Sequence, residues 1–333
     1  MLSNFAWFRS FSSTDRPSEP APPLQVRTAN SDELEPAVRH ILMTATGRVE
    51  EPQVQDFLRL ARSHASDLGG TWVAVQGSTL LSAAIPVVSP GRTVLIFPPQ
   101  TIHGDAHAHA TRHVVNTVCE RAAFEKLTLA QVLLDTHDHS VFALLTTCGF
   151  QRLAELLYLQ VSVPRSVREP SLPPGLRWRN YSRDTHALFA STVLATYDKS
   201  LDCPALNGLR SIDDILAGHK GAGSFDGNLW FLLCDHDVPL AVLLLNRVGS
   251  TDLVELVYVG IIPQHRRKGL GDILIRQALH AAATTGCARL SLAVDADNLP
   301  ALKLYWRHGL QAIGRKLALL RDLRPTQHVT RNT

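Results

Sequence analysis

The most specific spacing in the chain lies between a strand-like run and a helix-like run: Val259, Gly260, Ile261, Ile262, Pro263, Gln264, His265, Arg266, Arg267, Lys268, Gly269, Leu270, Gly271. A glycine-containing basic turn that opens a helix aims backbone NH groups and the positive end of the helix dipole at one point, which is the chemistry of anion binding. Phosphate is the expected ligand. Gly269 and Gly271 let its oxygens approach the backbone, and Arg266, Arg267 and Lys268 add positive charge at longer range. A bare Gly-x-Gly reads equally as a tight strand-to-helix turn. Near it, Glu255 reads by type alone as a solvent-facing strand carboxylate, Asn298 as a helix N-cap, and Tyr305 as a core aromatic in helical register with Ala301 and Leu304. A second group is histidine-rich: His103, His107, His109, His113, His137 and His139. His109 and His113 are one helical turn apart, as metal ligands can be, yet no fixed ligand spacing is recognisable and no metal is expected.

These residues need a frame, and the sequence supplies it twice. An offset of 160 superimposes Asp135 on Asp295, Leu144 on Leu304, Gly149 on Gly309, Gln151 on Gln311, Leu157 on Leu317 and Leu159 on Leu319; an offset of 158 brings Trp72 to Trp230 and Ala83 to Ala241. The 333 residues therefore read as a tandem repeat of one domain type. Its units run over 24–163 and 175–322, joined by a Pro-containing linker at 164–174. Residues 1–23 and 323–333 are expected to be flexible tails. In the second unit, Leu176 to Asn180 is short and extended. Helical patterns follow at Arg183 to Ala195 and Ile212 to His219, then strand runs at Leu229 to Cys234, Leu240 to Val248 and Leu253 to Ile262. A helix carrying Leu270, Leu274, Ala278 and Ala281 precedes a strand at Leu290 to Val294, a helix at Asn298 to His308 and a last strand at Leu310 to Leu320. Hairpins followed by alternating helices and strands indicate an α/β fold with a mixed sheet.

Arg266-x-x-Gly269-x-Gly271, with the strand Glu255 to Ile261 before it and Asn298, Ala301, Tyr305 and Gly309 after it, resembles the acyl-CoA-binding motifs of the GNAT superfamily of N-acetyltransferases. The resemblance covers almost all of the second unit and implies two tandem GNAT domains. It implies six or seven strands per domain, two parallel ones splaying apart around the pantetheine arm; by matched position these are Leu253 to Ile262 and Leu290 to Val294. It also implies acetyl-CoA, or another acyl-CoA, as co-substrate. Its pyrophosphate would lie on the backbone of Arg267, Lys268, Gly269, Leu270 and Gly271 with Arg266 nearby, its acetyl carbonyl and pantetheine amides on backbone groups of Val259 and Ile261, and its arm against Asn298. An alkylamine with a pKa near ~10.4, or an α-amine near ~8, must lose a proton before it can attack a thioester. Glu255 stands where many GNAT enzymes carry the carboxylate that takes this proton, and Tyr305 matches the tyrosine that protonates the departing thiolate. Leu310 replaces the usual Phe after Gly309, and Asp272 is a first-turn acid expected to point away from the phosphate.

The first unit lacks this loop. Pro98 to His109 contains neither a glycine pair nor an arginine, Leu145 matches Tyr305, and Asp138 matches Asn298. It is expected to be a degenerate GNAT domain with a structural or substrate-facing task. The acceptor should enter over Tyr197 to Gly208, where Tyr197, Asp198 and Asp202 are the candidate contacts. The acceptor is a small-molecule or peptide amine that the sequence does not identify, and a non-catalytic acyl-CoA sensor is the second reading. Lys+Arg 33 against Asp+Glu 30, with the basic residues gathered in one loop, argue against nucleic acid. No run of about 18 apolar residues suggests a membrane span. Cys119, Cys148, Cys203, Cys234 and Cys287 show no disulfide or zinc spacing, which fits a reducing cytoplasm. A tandem that pairs its own halves as a pseudo-dimer fits a monomer.

Overall fold

A computed structural model describes residues 22–44, 47–63, 70–100, 102–249 and 251–325. The N-terminal tail up to residue 21 and the last eight residues of the C-terminal tail lie outside the described residues. The first half runs β1 (Leu24–Thr28), α1 (Leu34–Leu42), α2 (Glu51–Ser63), β2 (Trp72–Gln76), β3 (Thr79–Ser89), β4 (Thr93–Phe97), α3 (Gly104–Phe124), β5 (Leu129–Leu134), α4 (His139–Thr147) and β6 (Gln151–Ser162). The second repeats the order as β7 (Leu176–Asn180), α5 (His186–Tyr197), α6 (Ile212–Gly221), β8 (Trp230–Asp235), β9 (Val238–Arg247), β10 (Leu253–Ile261), α7 (Leu270–Thr284), β11 (Arg289–Asp295), α8 (Leu299–Arg307) and β12 (Gln311–Asp322).

All strands join one twelve-stranded sheet of order β1-β2-β3-β4-β5-β12-β6-β11-β10-β9-β8-β7. The halves exchange their last strands: β6 pairs with β11, and β12 lies between β5 and β6. Leucines make the exchange possible. Leu157 and Leu159 of β6 belong to the core under α7 and α8, whereas Leu319 of β12, with Leu317 packed beside it, belongs to the core under α3 and α4. Leu317 lies opposite Glu155 in the β12–β6 register, so these leucines share one face of the sheet. Helices α1 and α2 cover a separate core on Val73, Val75, Ala83 and Ile85, and α5 and α6 cover one on Trp230, Leu232, Val242 and Leu244. Alternation of Leu243 with Val242 and Leu244 puts the last of these on the opposite face. Arg92 ties the halves together through both carboxylate oxygens of Asp214 on α6.

Each half contains one parallel strand pair. β10 and β11 are in register only from Leu253↔Arg289 to Glu255↔Ser291, and β4 and β5 only from Thr93↔Leu129 to Leu95↔Gln131. Beyond these points the strands part, as the sequence reading expects of Leu253 to Ile262 and Leu290 to Val294. Helix ends follow local chemistry. Asn298 caps α8 by accepting from the Ala301 amide at 3.4 Å, with Pro300 in the first turn. Ser211 caps α6 by accepting from Asp214 N.

Candidate active site

Beyond Glu255, β10 borders a gap. Ile262 N donates to Leu240 O at 3.0 Å, so by alternation Gly260 and Tyr258 point their backbone groups at β9, while those of Val259 and Ile261 point into the gap left by β11. A bulge between Leu256 and Tyr258 inserts Val257 and resets the side-chain alternation. Glu255 and Tyr258 thereby share the face under α5 and α6, where Thr196 Oγ1 meets the Tyr258 hydroxyl at 2.8 Å. Val259 and Ile261 turn to the α7 side.

The loop after β10 makes a short helical turn at Pro263–His265, passes through left-handed backbone at Arg267 (φ 62) and Gly269 (φ 81), and enters α7. Asp272 N donates to Gly269 O at 3.1 Å, yet the amides of Arg267, Lys268, Gly269, Leu270 and Gly271 have no hydrogen-bond acceptor among the described residues. An ordinary helix start leaves about four amides unpaired; the left-handed residues add to that set, and Gly269 as N-cap brings no side chain to quench them. Gly269 is exposed, and a Cβ on it would meet nothing within 4 Å. Gly271 has a different reason to be glycine: a Cβ there would lie 2.9 Å from Leu304 Cδ2, so it lets α7 pack on α8. Asp272 is turned towards α8, where His308 Nε2 lies 3.0 Å from its carboxylate.

Arg266 is committed elsewhere than the loop. Its guanidinium donates to Ile261 O (2.9 Å), Thr196 O (2.9 Å), Asp198 O (2.8 Å) and Lys199 O (2.9 Å). It therefore fastens the end of α5 to the end of β10. On the other side of the gap, Asp295 N donates to Asp202 Oδ1 and Cys203 N donates to Asp295 Oδ2, both at 3.2 Å. The segment 198–203 is thus strapped to both splayed strands and lies across their mouth. Asp198 is exposed, and Tyr197 packs edge-on against Tyr258 with ring centroids 5.5 Å apart.

Burial sets the electrostatics. Glu255, half-buried opposite Asn246 and Ser291, has its carboxyl pushed above the ordinary value by desolvation. Asp202 is raised too, first by burial and further by the Asp295 charge, while the hydrogen bond it accepts from Asp295 N works in the opposite direction. Tyr305 is 5% exposed on the inner side of α8, and burial, then the Asp202 charge, drive its hydroxyl upwards. Burial also lifts Tyr197 to about 12. The sequence reading passed over His219, whose ring stacks on Tyr258 at 5.3 Å and which burial holds neutral with a pKa of about 3. Its only sequence signal was a histidine one helical turn beyond Ile215 on a helix otherwise apolar on that side.

The histidines of the first half pair with one another. His107 Nδ1 accepts from His103 N at 2.9 Å, His107 Nε2 meets His40 Nε2 at 2.9 Å, and His109 packs edge-on against His113 at 4.4 Å. With His103 N as donor, His107 carries its own proton on Nε2 and gives it to His40. Burial lowers His107 to about 4, which keeps that arrangement neutral. Among the described residues no three His, Cys, Asp or Glu side chains group to hold a metal ion. Nor is any described helix long and apolar enough to cross a membrane.

The sequence profile of the Acetyltransferase (GNAT) family matches residues 203–310, the stretch that contains the open amides, the splayed strands and Tyr305. The second half therefore carries the sequence pattern of a GNAT acetyltransferase domain. The fold of the whole chain is that of the GCN5-related N-acetyltransferase from Sphaerobacter thermophilus, with a TM-score of 0.62 over 91% of this chain and 98% of that one at 15% identity. Mycothiol acetyltransferase of Streptomyces griseus is 27% identical over 310 residues, covering 89% of this chain and 95% of that relative. The mycothiol acetyltransferase of Clavibacter sepedonicus is 27% identical over 315 residues, covering 87% and 93%. The stretch that the GNAT profile matches lies in the second half, the half with the open loop.

Proposed function

We propose that the chain transfers an acetyl group from acetyl-CoA to a primary amine by direct attack within a ternary complex, in the second half alone. The observation that carries this is the run of unpaired amides from Arg267 to Gly271 at the mouth of the β10–β11 gap. Five adjacent donors at a helix start, with Lys268 exposed beside them, suit a pyrophosphate. Gap-facing backbone groups of Val259 and Ile261 suit the amides and carbonyl of an extended thioester arm, and Asn298 lies at the far wall with its oxygen engaged as a cap. Acetyl-CoA supplies the acyl group as an activated thioester.

The protein's own work is done with protons and position. Glu255, held on β10 with its carboxyl raised by burial, takes the proton from the incoming ammonium at its carboxylate oxygen, directly or through water. Tyr305, whose hydroxyl burial keeps protonated, delivers its proton to the departing sulfur. The strapped segment Tyr197, Asp198 and Asp202 forms the acceptor's entry, and its carboxylates favour a cation. The names of the relatives point to an acceptor belonging to mycothiol chemistry, a small-molecule amine. The test measures thiol release from acetyl-CoA against a panel of amino sugars, aminoacyl conjugates, alkylamines and peptides, with calorimetry of acetyl-CoA alongside. One site per chain and release dependent on one class of amine are expected. Two equal sites, or binding without transfer to any amine, would overturn the assignment.

A further inference from the structure

Strand exchange places a strand of the first half inside the site of the second. We propose that β6 supplies the acceptor-side wall of that site, with Tyr158 and Gln160 as positioning residues for an amine whose carrier bears hydroxyl or amide groups; this rests on the function assigned to the second half above. The placement follows from register. Glu255 on β10 lies opposite Ser291 on β11, Ser291 lies opposite Gln160 on β6, and Ala293 lies opposite Tyr158. By alternation all of these side chains share one face, the one on which α5 and α6 lie further along the sheet. Neither helix pair reaches the middle of that face. Ala293 is exposed, and Tyr158, Gln160 and Ser291 are half-buried and belong to no core cluster. The result is a trough with Glu255 on one bank and Tyr158 on the other. The Tyr158 hydroxyl and Gln160 carboxamide make no hydrogen bond among the described residues. The charge of Glu255 also acts on the Tyr158 phenol, as a second cause after burial of its raised pKa, which places the two within electrostatic reach.

The repeat supplies an internal control. At the same offset of 160, the trough of the first half is built from Leu95, Gln131 and Leu133, and the strand exchanged into it, β12, presents Ala318 opposite Leu133 and Leu320 opposite Gln131. Thus the strand lent to the half with the open phosphate loop carries a phenol and a carboxamide, while the strand lent to the half without that loop carries a methyl and an isobutyl group. A purely structural strand would need no such difference, since both sit in the same backbone register.

The experiment uses the full chain with two probe amines, glucosamine, whose amino group is flanked by hydroxyls, and benzylamine, which has none. Tyr158→Phe is isosteric and Gln160→Met nearly so. In each, the KM for glucosamine should rise about tenfold, the scale of one lost hydrogen bond of ~1.4 kcal/mol. The KM for benzylamine, the affinity for acetyl-CoA and the melting temperature should stay as in the wild type. The mirror variants Ala318→Ser and Leu320→Met should leave both KM values unchanged. Unchanged glucosamine KM in both β6 variants, or an equal rise for benzylamine, overturns the proposal while leaving acetyl transfer by the second half intact. Failure of the wild type to acetylate any amine of the wider panel overturns the functional reading and this proposal together; inactivity on glucosamine alone overturns the proposal.

Discussion

Replacing Arg266 by Met keeps the aliphatic stem and deletes the guanidinium that ties α5 to β10. Four carbonyl partners are lost: those of Ile261 and Thr196 are partly buried, and those of Asp198 and Lys199 are exposed. A hydrogen bond from a charged donor contributes roughly 1.5 to 3 kcal/mol. Exposed carbonyls recover most of it from water, so the two partly buried bonds set the scale, and the variant should lose roughly 3 kcal/mol, a fall in melting temperature of roughly 6 to 12 °C. Releasing the 198–203 strap at its β10 end should also raise the amine KM. Acetyl-CoA affinity, by contrast, should fall by less than about tenfold, ~1.4 kcal/mol, because the amides of Arg267 to Gly271 do not depend on that side chain. Thermal melts, calorimetry with acetyl-CoA and steady-state kinetics separate the three effects. A loss of about a hundredfold in acetyl-CoA affinity, ~2.8 kcal/mol, at an unchanged melting temperature would show that the guanidinium holds the pyrophosphate and would refute the strap.

Two other outcomes follow from the same geometry. Gly269→Ala places a methyl in left-handed backbone over the open amides, so acetyl-CoA affinity should drop about tenfold or more, with a stability cost of roughly 1 to 2 kcal/mol. Gly271→Val instead meets Leu304, so it should cost roughly 1 to 3 kcal/mol of stability and act on the site by displacing α8; calorimetry and melts on both variants distinguish the mechanisms. Glu255→Gln should lower turnover about 100-fold near neutral pH, with a deficit that shrinks as pH rises and the amine deprotonates unaided. Its folded pKa lies above the ordinary 4.5, so the acid form stabilises the fold fully below that value and the benefit is lost as pH rises through the folded pKa. Glu255→Gln should therefore melt higher than the wild type at pH 7 and lose that advantage below about pH 4; equal melting temperatures at pH 7 would contradict the burial of the carboxylate.

The loop and the strand and helix runs around it were legible in the sequence because each is a local pattern, whereas the splaying of the strands and the role given to Tyr305 came from the family resemblance. Glycine spacing, apolar runs and helical register need no knowledge of distant partners. The strand exchange was not legible. Leu157 and Leu159 present the same inward pattern as Leu317 and Leu319 at an offset of 160, so β6 and β12 suit either position and only the competition between cores decides. Likewise, no glycine or proline marks the bulge at Val257, although it decides that Glu255 and Tyr258 face the same way. Arg266 counts as a basic loop residue in any linear reading; its direction depends on carbonyls some seventy residues away. His40 was passed over for the same reason, since its contact with His107 spans 67 positions. Apart from the local bulge, these features depend on partners dozens of residues away in the chain.

Strand exchange also explains why a half without the phosphate loop can keep its frame. β11 has β6 as its neighbour on one side, and Leu157 and Leu159 fill the core beneath α7 and α8. Without the first half, β11 would be a bare edge, β12 would lose β5, and the wall facing Glu255 would lose Tyr158 and Gln160. The two requirements on the first half are therefore unequal. Its strands and cores are bound by the second half's packing, and a change in them is felt by the transfer site. At its helix start a Cβ on Gly104 would meet nothing within 4 Å, and His107 caps the helix by accepting from His103 N.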